Sequence, residues 1–297
     1  MSRDPELPPF ENIRAATLVD LPRIASVAAA GFFWSPTFQF QRPYHADFPE
    51  DTISSYWFEY HEEIVDPASI VLVAEDVFDP HEDESVYDAL RKCSLHKQGK
   101  NEQVKVVVGV CSINLRPGSP FIGRLNEERA WRKHTTPRLL TSPDMLKAQM
   151  QSPAMPRKLS RDQSARAVKQ YEDATGSAKK RHLAGLMRLS TLAVHPAYWR
   201  RGHATRLVSW CMRLADAEAA PIGISAAPMG ASIAVQAGFE EREVVSFRGE
   251  LPRSVLSVDV RLWIGVRPPS GSPSESSTVY SESSAPDIQP FGDIKHG

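Results

Sequence analysis

A short basic stretch in the second half of the chain carries the residues best suited to bind a phosphorylated ligand. It reads Arg200-Arg201-Gly202-His203-Ala204 and follows an apolar run that ends at Pro196. A helical pattern begins near Gly202, so the order is strand, turn and helix start. The first amides of a helix lack intrahelical partners and carry the positive end of its dipole, and a glycine there lets an anion approach the main chain. The stretch therefore predicts an anion-binding loop.

The elements on both sides of this loop are predicted from apolar periodicity. The run Leu189–Val194 has strand character, and the positions after the loop fall at helical spacing with one apolar face. Two further strands are predicted at Ile70–Ala74 and Lys105–Leu115, where Gly109 marks a bulge. The apolar helix positions after the loop are Ala204, Leu207, Val208, Cys211, Leu214 and Ala215.

Smaller signals complete the list of elements. Thr17 and Asp20 have the spacing of a capping box, which predicts a helix carrying Leu21, Ile24 and Val27. Pro221–Ala226 predicts a strand, and a helix follows it and ends at Gly238. The closing strands are predicted at Val244–Arg248 and Val255–Ile264.

Two of these stretches together resemble a known family. The positions Leu189, Leu192, Val194 and Pro196, followed by the basic loop, resemble the acyl-CoA signature of the GNAT N-acetyltransferases. In that family the loop reads Gln/Arg-x-x-Gly-x-Gly/Ala, and here Trp199 occupies the first position. The run Ser225–Gly230, then a helix and Gly238-Phe239, is similar to a second signature of the family.

The resemblance implies the fold and the limits of the domain. It implies an α/β protein with the GNAT acyl-CoA N-acyltransferase fold, a central mixed twisted sheet flanked by helices, with long insertions. The GNAT-like domain is expected at residues 12–267, after an N-terminal arm at 1–11 and before a Ser/Pro-rich tail at 268–297 that we expect to be disordered. The insertions are expected at about 79–103 and 117–182.

The resemblance also implies how the donor is held. The donor substrate would be acetyl-CoA, with no metal, and the loop amides would bind its pyrophosphate. The backbone amide of Leu192 would bind the acetyl carbonyl oxygen, which makes it the one catalytic group that the resemblance assigns. The residues expected to bind the cofactor are Leu192, Ala193, Val194, Arg200, Arg201, Gly202, His203, Ala204 and Thr205.

The usual side-chain catalysts of the family are missing from their positions. Several members carry a glutamate base four residues before the Leu192 position and a tyrosine acid four residues before the glycine of Gly-Phe. Those positions hold Arg188 and Ala234 here, so the general base and acid are unassigned. A water chain is one alternative. The side chains considered as substitutes are Ser190, Thr191, His195, His45, Glu59, His61 and Glu62.

Two further segments permit both a structural and a functional interpretation. The aromatic residues of Gly31–Tyr60 either pack in the core or form a wall for an apolar or aromatic amine. The basic segment 117–182 is either a solvated loop, which its composition favours, or a surface for CoA phosphates or an acidic partner. Within it, helices are predicted at 126–134 and 163–173.

Composition excludes several other classes of protein. The formal net charge of −1 provides no general attraction to nucleic acid or to an anionic membrane. Three scattered cysteines form neither a disulfide framework nor a zinc motif, and Cys93 and His96 are expected in a solvated loop. Because no apolar run is long enough for a membrane span and no signal core is present, we expect a cytoplasmic protein of unknown oligomeric state.

These observations lead to one main functional hypothesis. The chain is expected to be a transferase that moves an acetyl or short acyl group from CoA to a small-molecule or peptide amine by direct transfer. A catalytically degenerate acyl-CoA-binding sensor or scaffold is the alternative, because the usual glutamate and tyrosine are absent. Recognition of protein or nucleic acid through the basic segment is a third hypothesis.

Overall fold

The computed structural model describes residues 6–97, 105–125, 159–250 and 257–270. Within these ranges seven strands form one mixed sheet in the order β1-β2-β3-β4-β5-β7-β6. The strands are β1 (Ile13–Ala15), β2 (Ser69–Val77), β3 (Lys105–Asn114), β4 (Met187–Val194), β5 (Ile222–Ala226), β6 (Glu240–Glu250) and β7 (Ser257–Arg267). Neighbouring strands are antiparallel except β4 and β5, which are parallel.

Helices cover both faces of this sheet. They are α1 (Leu21–Phe32), α2 (Pro36–Gln41), α3 (Pro49–Val65), α4 (Asp88–Lys92), α5 (Ala165–Leu183), α6 (His203–Ala217) and α7 (Pro228–Gln236). None of the helices within the described ranges combines the length and the apolar character that a membrane crossing needs.

The alternation of side chains along the central strands divides the core into two layers. Ile70, Leu72 and Ala74 of β2 pack with α6, whereas Val71 and Val73 pack with α1 and α3. A strand covered on both faces needs apolar residues at every position, which explains the continuous apolar run in β2. The helix-flanked mixed sheet confirms the predicted α/β class.

The local sequence signals mark most of these elements correctly. The Thr17–Asp20 capping box is present and closes a 3₁₀ turn that leads directly into α1, where Pro22 lies in the first turn. The register of β2 against β3 shifts beside Gly109, as the bulge prediction requires. Helix α5 begins two residues after the start of the predicted helix at 163–173, continues ten residues beyond its end, and packs its buried side against β6 and β7. The helix predicted at 126–134 and nearly all of the tail lie outside the described residues.

The segment that follows β2 differs from the solvated loop that its charge suggested. Cys93 is 2% exposed and His96 is fully buried, so the prediction that both are solvated is wrong. The chain forms a 3₁₀ turn and α4 there, and its apolar residues Val86 and Leu90 join the α1/α3 side of the core. Burial of one side of these short turns explains why a charge-rich segment is ordered.

Candidate functional site

Strands β4 and β5 separate near the middle of the sheet. They pair only at Met187–Leu189 of β4 and Ile222–Ile224 of β5 within the described part of the chain. Beyond that point β4 continues to Val194 beside β3, and β5 continues to Ala226 beside β7. The C-terminal half of β4 therefore has one paired edge and one open edge.

The hydrogen bonds to β3 decide which groups of β4 face this opening. The amide of His195 donates to the Val108 carbonyl oxygen at 2.9 Å. Because hydrogen-bonded pairs alternate in an antiparallel ladder, the main-chain groups of Ala193 also face β3, and those of Leu192 and Val194 face away from it. Of the three strand residues predicted to bind CoA, Leu192 and Val194 thus present main-chain groups to the opening, whereas Ala193 does not.

The predicted anion loop lies at the end of the open strand edge. A 3₁₀ turn at Pro196–Tyr198 leads through Arg200, at φ 61°, to Gly202, which caps α6 at φ 80°. That left-handed conformation suits glycine, and an added Cβ would meet only the Arg206 guanidinium at 3.8 Å. The amides of His203, Ala204 and Thr205 form the first turn of α6, where helices bind anions.

Trp199 supports the loop at the position where the family signature has glutamine or arginine. Its indole Nε1 donates to the Val194 carbonyl oxygen at 2.8 Å, which connects the loop to the end of β4. The Trp199 ring also packs edge-on against the Trp34 ring, with 6.2 Å between the ring centroids, and both rings are partly exposed. The departure from the signature therefore has a structural role in this chain.

Acidic residues at the end of β2 and just beyond it pair with two basic residues of the loop. His203 Nε2 lies 2.9 Å from Asp76, and Arg201 pairs with Asp76 at 3.5 Å and with Asp79 at 3.6 Å. Burial lowers the pKa of His203, against the opposing effect of Asp76, so neutral imidazole is favoured. Arg200 is exposed beside the helix start.

A buried ion pair lies beneath the loop. The Arg23 guanidinium donates to both carboxylate oxygens of Glu82, at 2.6 and 2.7 Å, and the Tyr198 hydroxyl donates to Glu82 at 2.8 Å. The candidate base His195 is fully buried in the same region, where it stacks on His96 at 6.0 Å. His195 therefore points into the protein, and its Nδ1 accepts a hydrogen bond from the Ala197 amide at 3.4 Å.

A row of hydroxyl groups connects β4 to a carboxylate on α3. The Tyr60 hydroxyl donates to Thr191 Oγ1 at 3.0 Å, Thr191 and Ser112 hydroxyls lie 2.8 Å apart, and Ser112 donates to Glu63 at 3.0 Å. These four residues come from α3, β3 and β4, and we call them the hydroxyl chain. Thr191 immediately precedes Leu192, so the chain ends beside the open edge of β4.

The carboxyl group of Glu63 has an unusual pKa. Burial, followed by the charge of Glu59 and a smaller contribution from Asp66, raises the pKa of Glu63 to about 7, while the Ser112 hydrogen bond and the Arg188 charge oppose the rise. Its second oxygen, Oε2, is buried and has no hydrogen-bond partner among the described residues. A carboxyl group that titrates near neutral pH can exchange protons under physiological conditions.

The other side chains considered as catalysts lie in different places. His45 packs among aromatic rings, with Nδ1 2.6 Å from the Arg42 carbonyl oxygen, and His61 stacks on Trp57. Glu59 and Glu62 are exposed on α3. Ser190 occupies the irregularity in the β3/β4 register.

Sequence reasoning missed Glu63, although a signal for it exists. Glu63 follows Tyr56 by seven residues and Tyr60 by three, so helical spacing places it on the same side as two buried tyrosines. The aromatic residues of Gly31–Tyr60 serve mainly as core: Phe38, Phe40, Tyr56, Phe58 and Tyr60 are all buried.

Known proteins share the sequence and the fold of this chain to different extents. No family model matches the chain. A protein of Stachybotrys chartarum described as an acetyltransferase is 28% identical over 236 residues, which are 80% of this chain and 83% of that protein. The predicted resemblance to the GNAT acetyltransferases is confirmed. The prediction that the chain is an enzyme, an acetyltransferase, is confirmed as well.

Solved structures with a similar fold have lower sequence identity to this chain. A Corynebacterium glutamicum protein described as histone acetyltransferase HPA2 and related acetyltransferase is 15% identical with a TM-score of 0.45, over 86% of this chain and 95% of its own. Arylalkylamine N-acetyltransferase 2 of Aedes aegypti is 12% identical with a TM-score of 0.44, over 87% and 99%.

Proposed function

We propose that this acetyltransferase takes its acetyl group from acetyl-CoA and transfers it directly to an amine. The observation that carries the proposal is the separation of β4 from β5, which leaves the main-chain groups of Leu192 and the amide of Val194 facing the opening and leads to the start of α6. An extended thioester with amide groups in its arm and a pyrophosphate at its end has the chemistry to match these features in the same order.

The roles of the individual residues follow from their positions. The Leu192 amide donates to the acetyl oxygen, and the Val194 amide binds the pantetheine arm farther along the strand. The amides of Gly202, His203, Ala204 and Thr205 bind the pyrophosphate, with Arg200 beside them. Three predicted residues support this site instead of binding CoA with these groups. The side chains of Arg201 and His203 already have protein partners, and the main-chain groups of Ala193 pair with β3.

The acceptor is proposed only as an amine, either of a small molecule or of a peptide. Acetyl transfer to nitrogen requires a neutral amine and a group that accepts its proton. The CoA thiolate is already a tolerable leaving group, so deprotonation of the amine is the main chemical requirement. The arylalkylamine enzyme named above makes aromatic amines a reasonable first class to assay. Polyamines and peptides are the other two classes.

Titration calorimetry with CoA tests the proposed loop. Gly202→Glu places a carboxylate at the helix start and is expected to weaken CoA binding at least 100-fold, because it repels phosphate and occupies its path. Gly118→Glu is the matched control, since Gly118 also has positive φ, at 75°, and open space around it but lies after β3. Equal CoA affinity in both variants would show that the pyrophosphate binds elsewhere.

Acetyl-CoA consumption with an amine panel tests the reaction. We expect turnover with at least one of 2-phenylethylamine, spermidine and a lysine-containing peptide. Tight CoA binding without turnover on any amine would favour the catalytically degenerate sensor instead.

A further inference from the structure

The hydroxyl chain has a direction that its hydrogen bonds determine. Ionised Glu63 can only accept, so the single hydroxyl proton of Ser112 goes to Glu63. Tyr60 donates its proton to Thr191, and therefore Thr191 must donate to Ser112. All three protons point toward the carboxylate.

A chain of this kind can pass a proton without moving any heavy atom. If a proton arrives at the Thr191 oxygen, the protons of Thr191 and Ser112 can each shift one bond along and leave Glu63 protonated. The reverse shift returns a proton to the β4 end. Both ends suit this role, since Thr191 is partly exposed on β4 and the Glu63 carboxyl group has a pKa of about 7. Burial raises the pKa of the Tyr60 phenol well above its ordinary value, so Tyr60 keeps its proton and stays a donor to Thr191.

The two positions that usually carry catalytic side chains in the resembled family do not hold such groups here. Arg188, four residues before Leu192, is partly buried, and its positive charge acts on Glu63. Ala234 is buried in the sheet-facing side of α7. The chain therefore lacks a base on β4 itself but has a carboxyl group connected to β4 through hydroxyls.

We propose that Glu63 is the proton acceptor of the acetyl transfer, that Thr191 and Ser112 conduct the proton to it from the acceptor amine, and that Tyr60 positions Thr191. This proposal rests on the proposed function. The neutral amine nitrogen bonds to the acetyl carbon, and the C–S bond breaks with its electron pair on the CoA sulfur. One N–H bond breaks, its proton reaches Glu63 through the chain, and the reverse shift delivers a proton to the thiolate, which restores the carboxylate and gives the amide and free CoA.

Thr191, which is partly exposed, is the member of the chain that receives the amine proton, whereas the fully buried Tyr60 acts through Thr191 as a positioning residue. The groups that act on the titration of Glu63 come from three sides: Glu59 of its own helix, Asp66 after that helix, and Arg188 of β4. Removing the negative charge of Glu59 is expected to lower the pKa of Glu63. This gives the proposal a pH signature that a purely structural role of the hydroxyls does not have.

The test compares Thr191→Val, which keeps the shape and removes the hydroxyl, with Thr191→Ser, which keeps the hydroxyl. With acetyl-CoA and the best amine of the panel, Thr191→Val and Glu63→Gln should each lower kcat about 100-fold, as loss of general base catalysis does. The KM for acetyl-CoA should change less than threefold. Thr191→Ser should retain most of the activity, and Glu62→Gln is the control on the exposed side of α3.

The pH profile supplies the readout that separates proton transfer from packing. Activity should rise with pH as Glu63 loses its proton near pH 7, and Glu59→Gln should move this limb to lower pH. Carbon-13 NMR of glutamate-labelled protein should show one carboxyl carbon titrating near pH 7, absent in Glu63→Gln. Wild-type kcat in Thr191→Val, or an ordinary Glu63 titration, would overturn the relay while leaving the proposed function intact; loss of CoA binding by the wild type would overturn both.

Discussion

Replacing Glu82 by glutamine probes the buried ion pair beneath the loop. Glu82 is 0% and Arg23 is 3% exposed, and together with Tyr198 they join α1, the segment after β2 and the loop after β4. Glu82→Gln keeps the volume and one hydrogen-bonding oxygen but removes the charge. The Arg23 guanidinium is then left buried without its counter-ion.

The expected loss of stability can be worked out from the pKa of Glu82. Burial alone would raise this pKa, but the hydrogen bonds and charge of Arg23, with smaller contributions from His195 and Tyr198, lower it from 4.5 to about 2. At about 1.4 kcal/mol per pKa unit, the free energy of unfolding at pH 7 gains about 3 kcal/mol from the ionised group. Breaking a buried pair costs about 3–5 kcal/mol in other proteins, which agrees with this magnitude.

The sign of the pH dependence follows from the direction of the shift. The folded-state pKa lies below the unfolded-state value, so the contribution is complete above about pH 4.5 and is lost as the pH falls toward 2. At pH 3 roughly 1.4 kcal/mol of it should remain. The difference in unfolding free energy between wild type and Glu82→Gln should therefore fall by about half between pH 7 and pH 3.

Urea denaturation followed by circular dichroism at several pH values measures this difference. Glu84→Gln is the control, because Glu84 lies two residues away, is exposed and pairs only with the exposed His81 among the partners described for it. We expect the control to stay within about 0.5 kcal/mol of wild type. A loss below 1 kcal/mol for Glu82→Gln at pH 7, or a difference that is the same at pH 7 and pH 3, would refute the reasoning.

Two closely packed positions, Gly31 and Trp210, give further predictions. Gly31→Ala should destabilise the fold by about 1–3 kcal/mol and weaken CoA binding, because the added Cβ would lie 2.9 Å from the Val194 carbonyl oxygen. Chemical denaturation measures the stability and titration calorimetry measures the CoA affinity. As a control, Gly176→Ala in the open part of α5 should be neutral or stabilising. Trp210→Ala should cost about 3–5 kcal/mol of unfolding free energy, since the fully buried indole stacks on Phe10 at 5.3 Å; a loss under 1 kcal/mol would contradict that packing.

The segment after β2 shows where composition is a poor guide. Its many charged residues predict solvation, yet Glu82 and His96 are fully buried. Burial of a charged side chain depends on a partner such as Arg23, which is 59 residues away in sequence. Composition counts the charges of a segment and carries no information about such partners.

The sequence by itself determined the turn and helix start at Gly202, the apolar faces of α1 and α6, and the strands on either side of the turn. These features depend on spacing within one element, and a glycine such as Gly202 marks a backbone conformation wherever the element lies. Only the tertiary structure decided that Glu63 bonds Ser112 and is connected through it to Thr191. Those residues are 49 and 128 positions from Glu63, and their contact depends on the packing of α3 over the β3/β4 pair, which no local pattern encodes.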